Sequence, residues 1–363
     1  MAAGYSLPMS PIKLSVLDQS VAVTGTTQDA SIRQTLALAQ YCEALGYHRF
    51  WVSEHHSHPS IVGSAPEVLM AAIAATTTRI RIGSAGVMLP HYSALKVAEQ
   101  FRVLEAIAPG RIDLGVGRAP GSDFRTARLL NGNPQRSADD FPVQVRELQA
   151  WVSGVDLPEG HPGRGVTANP MGPTHPTVWM LGSSDYGAQL AAHYGLPYAY
   201  AWFITDGQGA DQALALYRKL YRPSPRHPRP EAVLCVWALA ADTEDEAWRQ
   251  FSSRARWKLG RNQGELGALA SPDEVAMRAN SAADEIDLNR LRSSALVGSG
   301  AQVAEKLRAL ALRYEVEELV VITWVHDEAV LRRSYELLAA EFFSGKNAAD
   351  LQAANSIHKT ETP

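Results

Sequence analysis

Short apolar runs and longer amphipathic stretches alternate along most of the chain. The apolar runs have the length of β-strands, and the stretches between them repeat apolar residues every three or four positions, as surface helices do. We therefore predict eight strands, at residues 12–17, 49–52, 79–83, 112–116, 177–181, 198–201, 232–240 and 318–322. Helices are predicted after them, at residues 31–45, 66–76, 93–108, 138–153, 185–194, 208–221, 244–259, 302–312 and 329–343.

The predicted strands are apolar on both faces, which is typical of a parallel sheet covered by helices. Eight β-then-α units predict an α/β protein with a closed (β/α)8 TIM barrel, and a doubly wound open sheet is the alternative. Inserts are predicted after strands 4 and 7, at residues 117–137 and 259–296. Residues 12–343 would form a single barrel domain, between a flexible N-terminus at residues 1–11 and a flexible tail at 344–363. Functional residues of such barrels follow the carboxyl ends of the strands.

The composition is that of an ordinary globular protein, with 46% hydrophobic and 20% charged residues among 363. A formal net charge of −4, without a block of Lys or Arg, gives no support to a nucleic-acid or anionic membrane partner. The two cysteines, Cys42 and Cys235, are too few for a disulfide framework and are predicted to be buried. No signal peptide or membrane span is evident, so we expect a cytoplasmic protein.

Three histidines and a carboxylate follow the second predicted strand, in the run Glu54, His55, His56, Ser57, His58. One interpretation is a metal site, for which His56, His58 and the distant Asp327 would be an incomplete ligand set. Another is a histidine that acts as general base or proton shuttle, because imidazole titrates near neutral pH. A polar loop with exposed histidines is the third. The position of the run leaves these alternatives open.

Two features at other strand ends are typical of phosphate binding. Arg118 follows the fourth strand on a glycine-rich backbone, and it is either a phosphate ligand or a surface arginine. Ser183 and Ser184 precede a predicted helix, where they either cap the helix or donate hydroxyls to an anion at its N-terminus. The small residues Ala85 and Gly86 after the third strand indicate close approach of a flat ligand or a β-bulge. Together these features favour a phosphorylated ligand.

The chain resembles the bacterial-luciferase-like, flavin-dependent monooxygenases, and is closer to uncharacterised bacterial members than to light-emitting enzymes. The resemblance covers essentially the whole predicted barrel. It is most specific in four segments, which read YHRFWVSEHH at 47–56, SAGVMLP at 84–90, PGRIDLGVGR at 109–118 and LGSS at 181–184.

The resemblance implies a monooxygenase that holds reduced FMN at the barrel mouth, forms a C4a-peroxyflavin with O₂ and oxygenates a small organic substrate such as an aldehyde or ketone. Arg118, Ser183 and Ser184 match the family's phosphate-binding positions, although the luciferases have a carboxylate at the position of Ser183. Ala85 and Gly86 match a non-prolyl cis peptide behind the flavin ring. His55 matches the active-site histidine, and no metal is implied. The luciferases carry a cysteine at the position of Gly117, so light emission is not implied.

The resemblance also implies a separate NAD(P)H:flavin reductase and a homodimer formed through the helices at 66–76 and 93–108. Within enzymes, the alternative is an FMN or deazaflavin F420 oxidoreductase that transfers hydride without oxygenation. A non-catalytic flavin-binding protein is a further alternative, and a metal hydrolase the last. The two inserts, with Asp18, Trp202 and Trp324, are expected to determine the substrate.

Overall fold

Eight parallel strands close into a barrel in the computed structural model, which describes residues 11–343. The strands around the barrel are β1 Lys13–Asp18, β2 Arg49–Val52, β3 Arg81–Met88, β4 Ile112–Gly117, β5 Thr177–Gly182, β6 Tyr198–Tyr200, β7 Ala232–Ala241 and β9 Glu318–Ile322. Strand β9 pairs with both β7 and β1, which completes the ring. The predicted (β/α)8 barrel is confirmed, and the open sheet is wrong.

Helices of the described residues follow the strands and cover the barrel from outside. They are α1 Gln28–Leu45, α2 Pro66–Thr76, α3 Ala94–Ile107, α4 Phe124–Leu130, α5 Pro134–Asp139, α6 Phe141–Ser153, α7 Asp185–Tyr194, α8 Trp202–Thr205, α9 Ala210–Leu220, α10 Glu244–Asn262, α11 Pro272–Ala276, α12 Ala282–Ser294, α13 Gly300–Tyr314 and α14 Glu328–Phe343. The predicted inserts contain α4 and α5 after β4, and α11 and α12 after β7.

One strand lies outside the barrel ring. Strand β8, Leu296–Ser299, pairs in parallel with the carboxyl half of β7 at Ala238–Ala241. The predicted insert ended at residue 296, and no strand was predicted between it and the helix at 302–312. Strand β8 has only four residues, and it forms by pairing with β7, which is distant in the sequence. A local pattern of apolar residues therefore does not predict it.

Charged side chains occupy the interior of the barrel near the amino ends of its strands. Arg49 of β2 contacts Asp113 of β4 through Nη1 and Oδ2 at 2.8 Å, and Glu318 of β9 through Nε and Oε1 at 2.6 Å. Above them, Trp51 and Trp179 are fully buried and pack edge to face. These layers fill the barrel interior near the amino ends of the strands.

The predictions for the two ends of the chain fall on residues that the structure does not describe, apart from Pro11. The flexible N-terminus was predicted at residues 1–11, and the flexible tail at residues 344–363. Among the helices of residues 11–343, none is both long and apolar enough to cross a membrane. Both cysteines are free and buried, as predicted.

Candidate active site

A cavity of about 520 Å³ opens at the carboxyl ends of the barrel strands. Most of its lining is apolar, and the polar side chains come from the loops and helices that follow β1, β2, β4, β5 and β7. The structure brings together in this cavity all six site residues that the sequence analysis singled out, which are His55, Ala85, Gly86, Arg118, Ser183 and Ser184.

His55 lies on the cavity wall just beyond the end of β2. Its backbone N–H donates to the Gly63 carbonyl at 2.9 Å, and its Nδ1 lies 3.3 Å from the Ser53 hydroxyl. Burial, with smaller contributions from His58 and His56, lowers the pKa of His55 to about 4. The imidazole is therefore neutral at pH 7, and its ordinary value near 6.5 does not apply here.

The neighbouring histidines are engaged by the protein. His56 Nε2 lies 2.7 Å from a carboxylate oxygen of buried Glu54, which also accepts the Tyr92 hydroxyl and the Met88 N–H. His58 lines the cavity, and its Nδ1 accepts the backbone N–H groups of Ser60 and Ile61. Within residues 11–343, no group of three or more His, Cys, Asp or Glu side chains is arranged to hold a metal ion.

The hydroxyls that precede α7 are available to a ligand. Ser184 occupies the N-cap position, but its side chain accepts no N–H of the first helical turn. Neither Ser183 nor Ser184 has a side-chain hydrogen-bond partner among residues 11–343. Capping therefore does not account for them, and the N-terminus of α7 offers N–H groups and two hydroxyls to an anion.

Arg118 stands beside this helix start. Its guanidinium lies over the Tyr186 ring, 4.3 Å from the centroid, and both side chains line the cavity. Within the described chain Arg118 has no carboxylate partner, so its charge is available to an anion at Ser183 and Ser184. Sequence reasoning missed Tyr186, whose only signal is its place in the first turn of the helix.

The wall formed by β3, beside this corner, is built from residues with little or no side chain. The Ala85–Gly86 peptide bond is cis, as the resemblance implied. These residues belong to β3 itself, which extends to Met88 with a shift of register between Ser84 and Val87, whereas the predicted strand ended at residue 83. A side chain at Gly86 would meet Leu181 Cδ1 at 2.2 Å, so the flat wall depends on this glycine.

Of the three side chains expected to select the substrate, only Trp324 lines the cavity. Asp18 turns away from it, because its carboxylate accepts the Thr35 hydroxyl at 2.6 Å and the Ser20 N–H at 2.9 Å. Trp202 is buried among the residues that pack between barrel and helices. Neither side chain lines the cavity, because residues near a strand end can point outward as well as inward.

Helix α10 contributes three cationic side chains to the cavity that sequence reasoning missed. They are Arg254, Lys258 and Arg261. Their spacing of four and three residues places them on one helix face. A helix face that meets solvent has the same spacing of charges. Only the packing of α10 over the barrel mouth shows that this face meets the cavity.

A family model described as luciferase-like monooxygenase matches residues 12–314 of the chain. The uncharacterized protein YwcH of Bacillus subtilis (strain 168) is 43% identical, over 91% of this chain and 99% of the relative. The N-acetyl-S-alkylcysteine monooxygenase of the same organism is 35% identical, over 92% and 99%. The crystal structure of apo-MsnO8 is 37% identical, with a TM-score of 0.83 over 92% of this chain and 98% of that one.

More distant structures share the fold alone. One is the oxygenating constituent of 3,6-diketocamphane monooxygenase from Pseudomonas putida, a type II Baeyer-Villiger monooxygenase in complex with FMN, at 17% identity and a TM-score of 0.67. It covers 93% of this chain and 99% of that one. Another is an F420-dependent secondary alcohol dehydrogenase with an F420-acetone adduct, at 14% identity, a TM-score of 0.61, and coverage of 90% and 98%. Since the family model spans most of the barrel, the chain belongs to the luciferase-like monooxygenase family.

Proposed function

We propose that the chain is a flavin-dependent monooxygenase, which binds reduced FMN in the cavity and uses O₂ to oxygenate a small organic substrate, such as an aldehyde or ketone. The observation that carries this proposal is the meeting of an anion-binding corner, a flat wall and a neutral histidine in one cavity. When bound, reduced FMN supplies the electrons and the reaction with O₂. The membership of a monooxygenase family supports the same assignment.

The anion-binding corner fits the phosphate of FMN. The hydroxyls of Ser183 and Ser184 and the first N–H groups of α7 donate to phosphate oxygens, and the guanidinium of Arg118 neutralises their charge. The wall at Ala85 and Gly86 fits the flat ring, because no side chain larger than a methyl group projects from it. The apolar remainder of the cavity excludes water from the reacting groups.

His55 is the proton acceptor in this arrangement. Because its pKa is held at about 4, the imidazole is unprotonated over the whole neutral range and can accept a proton from substrate or water. The Ser53 hydroxyl at Nδ1 restricts the orientation of the ring. His55 therefore acts as a proton acceptor or a hydrogen-bonding group, with Ser53 as its positioning residue.

The test of the proposed function begins with titrations of FMN, FAD, riboflavin and a deazaflavin into the protein. FMN is expected to bind more tightly than riboflavin, because riboflavin lacks the phosphate. Reduced FMN is then mixed with isotopically labelled O₂ and a panel of aldehydes, ketones and S-alkylcysteine derivatives. One labelled oxygen atom is expected in the product. A product without labelled oxygen would contradict the proposal and favour hydride transfer by FMN or F420.

We also propose that reduced FMN comes from a separate NAD(P)H:flavin reductase. The cavity features described above are assigned to the flavin or to a small substrate, and none of them indicates a nicotinamide site. The resemblance to the family implies that a separate enzyme reduces the flavin. Turnover with NADH is expected only when a flavin reductase is added. Turnover with NADH and FMN alone would contradict this part of the proposal.

A homodimer through α2 and α3 is the final part of the proposal. The two helices pack against each other and expose Val68, Val103 and Ile107 to solvent. Exposed apolar side chains on neighbouring helices favour association with a second copy.

A further inference from the structure

Helix α10 presents a buried cation to the cavity, and no carboxylate of the described chain contacts it. Arg254 is only 8% exposed, and its guanidinium lies over the Trp237 ring, 4.2 Å from the centroid. Among the described residues it makes no hydrogen bond or ion pair. Asp206, which contacts Lys258, favours the charged form of Arg254 without touching it. A buried charge without a contacting partner costs several kcal/mol, which an anionic ligand would offset.

Other buried cations of the chain have partners within the protein. Arg49 is held by Asp113 and Glu318, Arg102 donates to three backbone carbonyls, and Lys258 contacts Asp206 at 2.5 Å. Arg254 differs from all of them, because no acceptor contacts its guanidinium. Burial lowers the pKa of Arg254 to about 9 against the opposing effect of Asp206, and the guanidinium is still charged at pH 7.

The surroundings of Arg254 call for a negative ligand. The Lys and Arg side chains that line the cavity are Arg118, Arg254, Lys258 and Arg261, and no Asp or Glu of the described chain lines it. Lys258 already has its carboxylate in Asp206. Two cations of α10 are therefore available to a ligand. Arg254 is buried in the cavity, and Arg261 is exposed to solvent.

This cationic face is separate from the corner assigned to the FMN phosphate. Arg118 follows β4 and the two serines follow β5, whereas α10 follows β7. Strands β4 and β7 are three positions apart around the eight-stranded barrel. Strand β5 is two positions from β7, so the two cationic groups follow different strands around one cavity, and each is proposed to contact its own anionic group.

We propose that Arg254, assisted by Arg261, binds the carboxylate of an organic acid substrate whose apolar part lies among Trp237, Trp257 and Trp324. A single buried guanidinium matches a carboxylate in charge and in its two parallel N–H donors. The three tryptophans line the same cavity, and Trp257 packs against Trp324 with 4.5 Å between ring centroids. This inference rests on the proposed function, because it names the substrate class of that site.

The test compares octanoate with octanamide, which has the same shape and no charge. Binding of each to the purified protein is measured by calorimetry, with and without oxidised FMN. Octanoate is expected to bind about ten to a hundred times more tightly than octanamide, because a hydrogen bond between charged groups contributes that much to the affinity. Equal affinities, or no binding of octanoate in either state, would overturn the proposal.

Variants of α10 identify the residue responsible. Arg254→Met is expected to remove the preference for octanoate while octanamide still binds, which also shows that the cavity is intact. Arg254→Lys should keep part of the preference, because it keeps the charge without the planar fork. Arg249→Met is the matched control, since Arg249 lies on the same helix, is half exposed and does not line the cavity. A preference that survives both Arg254 variants would overturn the proposal.

A flavin titration separates this proposal from the proposed function. If Arg254→Met weakened FMN far more than riboflavin, Arg254 would belong to the cofactor phosphate, and the carboxylate proposal would be overturned. Octanoate binding needs neither O₂ nor turnover, so a failure of the labelled-oxygen experiment leaves the binding result standing. Conversely, labelled product without a preference for octanoate would reject only the carboxylate site.

Discussion

A single arginine is central to each of the two proposed anion sites of the cavity. Arg118 is the one at the proposed phosphate site. We expect Arg118→Ala to weaken FMN binding by about ten to a hundred-fold, the value of a charged hydrogen bond, and to leave riboflavin binding nearly unchanged. Fluorescence titration of both flavins measures the difference. Arg125→Ala is the control, because Arg125 lies on the same segment and does not line the cavity. Equal losses for FMN and riboflavin would argue against a phosphate contact.

The protonation of His55 is a second property of a single residue. Burial lowers its pKa to about 4, so we expect its imidazole signals to titrate near pH 4 in a nuclear magnetic resonance experiment and to stay constant from pH 6 to 8. The folded value lies below the ordinary one near 6.5, so the stability that neutral His55 provides is present above about pH 6.5 and is lost as the pH falls toward 4. A titration near pH 6.5 would contradict this.

The role of His55 is measured separately from its pKa. We expect His55→Ala to bind FMN as the unaltered protein does, because the phosphate corner lies at other strands. The same variant should form less product per reduced flavin oxidised, since the proton acceptor is missing. Single-turnover measurement of product and flavin oxidation gives the ratio, and an unchanged ratio would remove His55 from the reaction.

Gly86 shows how closely the cavity wall is packed. A Cβ there would lie 2.2 Å from Leu181 Cδ1 and 2.8 Å from the Gly115 carbonyl oxygen, so Gly86→Ala should destabilise the protein by about 1–3 kcal/mol. Gly117→Ala is the matched control, because a Cβ there meets only Met88 Sδ at 3.9 Å. Thermal unfolding of the flavin-free protein measures both. Similar melting temperatures for the two variants would show that the wall has room to relax.

At the scale of elements, the sequence was informative where a local pattern determines the structure. The apolar runs located all eight barrel strands, since parallel strands buried on both faces must be continuously apolar. The end of β3 was missed because its small residues lack the pattern of a strand. Helices α11 and α12 were missed inside an insert, although Ser271 with Glu274 and Ser281 with Asp284 form capping boxes that are visible in the sequence.

The site was predictable to a similar degree and for a similar reason. Residues at strand ends were found because a barrel brings strand ends together, whichever residues lie between them. The cations of α10 were not found, because helical spacing alone does not say whether a charged face meets solvent or a cavity. The inward or outward direction of Asp18 and Trp202 was equally beyond a periodicity argument.

Three strands are joined by the ion pairs in the barrel interior. Arg49→Met leaves Asp113 and Glu318 without their shared partner, so a loss of about 3–5 kcal/mol in the free energy of unfolding is expected. Urea unfolding measures it. Arg49→Met combined with Glu318→Gln should regain part of the loss, because the buried Glu318 charge is removed and Asp113 keeps Arg81 as its partner. An unchanged free energy for Arg49→Met would contradict the role of these pairs.

The same ion pairs predict a pH dependence with a definite sign. Burial favours a raised pKa for Asp113, but Arg49 and Arg81 outweigh it and hold the pKa below its ordinary value of 3.8. In the unaltered protein this stabilisation is present above about pH 4 and is lost below it. Without Arg49 the pKa of Asp113 rises, and protonation relieves the buried charge. The difference in stability between the two proteins should therefore shrink as the pH falls from 7 to 4.

At the scale of the whole molecule, the described surface carries scattered apolar side chains, and those of α2 and α3 lie on adjacent helices. Val68 on α2 is 63% exposed and Val103 on α3 is 48% exposed. A stable dimer buries roughly 800 Å² on each partner, with its charged residues kept to the rim. A glutamate at the centre of such a face would be buried without a partner.

The expected result is that the protein has the mass of a dimer in light scattering at micromolar concentration, and that Val103→Glu has the mass of a monomer. The buried carboxylate would cost more than the contact it replaces, so the two copies separate while each barrel stays folded. Leu312→Glu is the matched control, because Leu312 is a 65% exposed apolar residue on α13. This variant should remain dimeric. A monomeric unaltered protein, or dissociation by Leu312→Glu alone, would place the interface elsewhere or remove it.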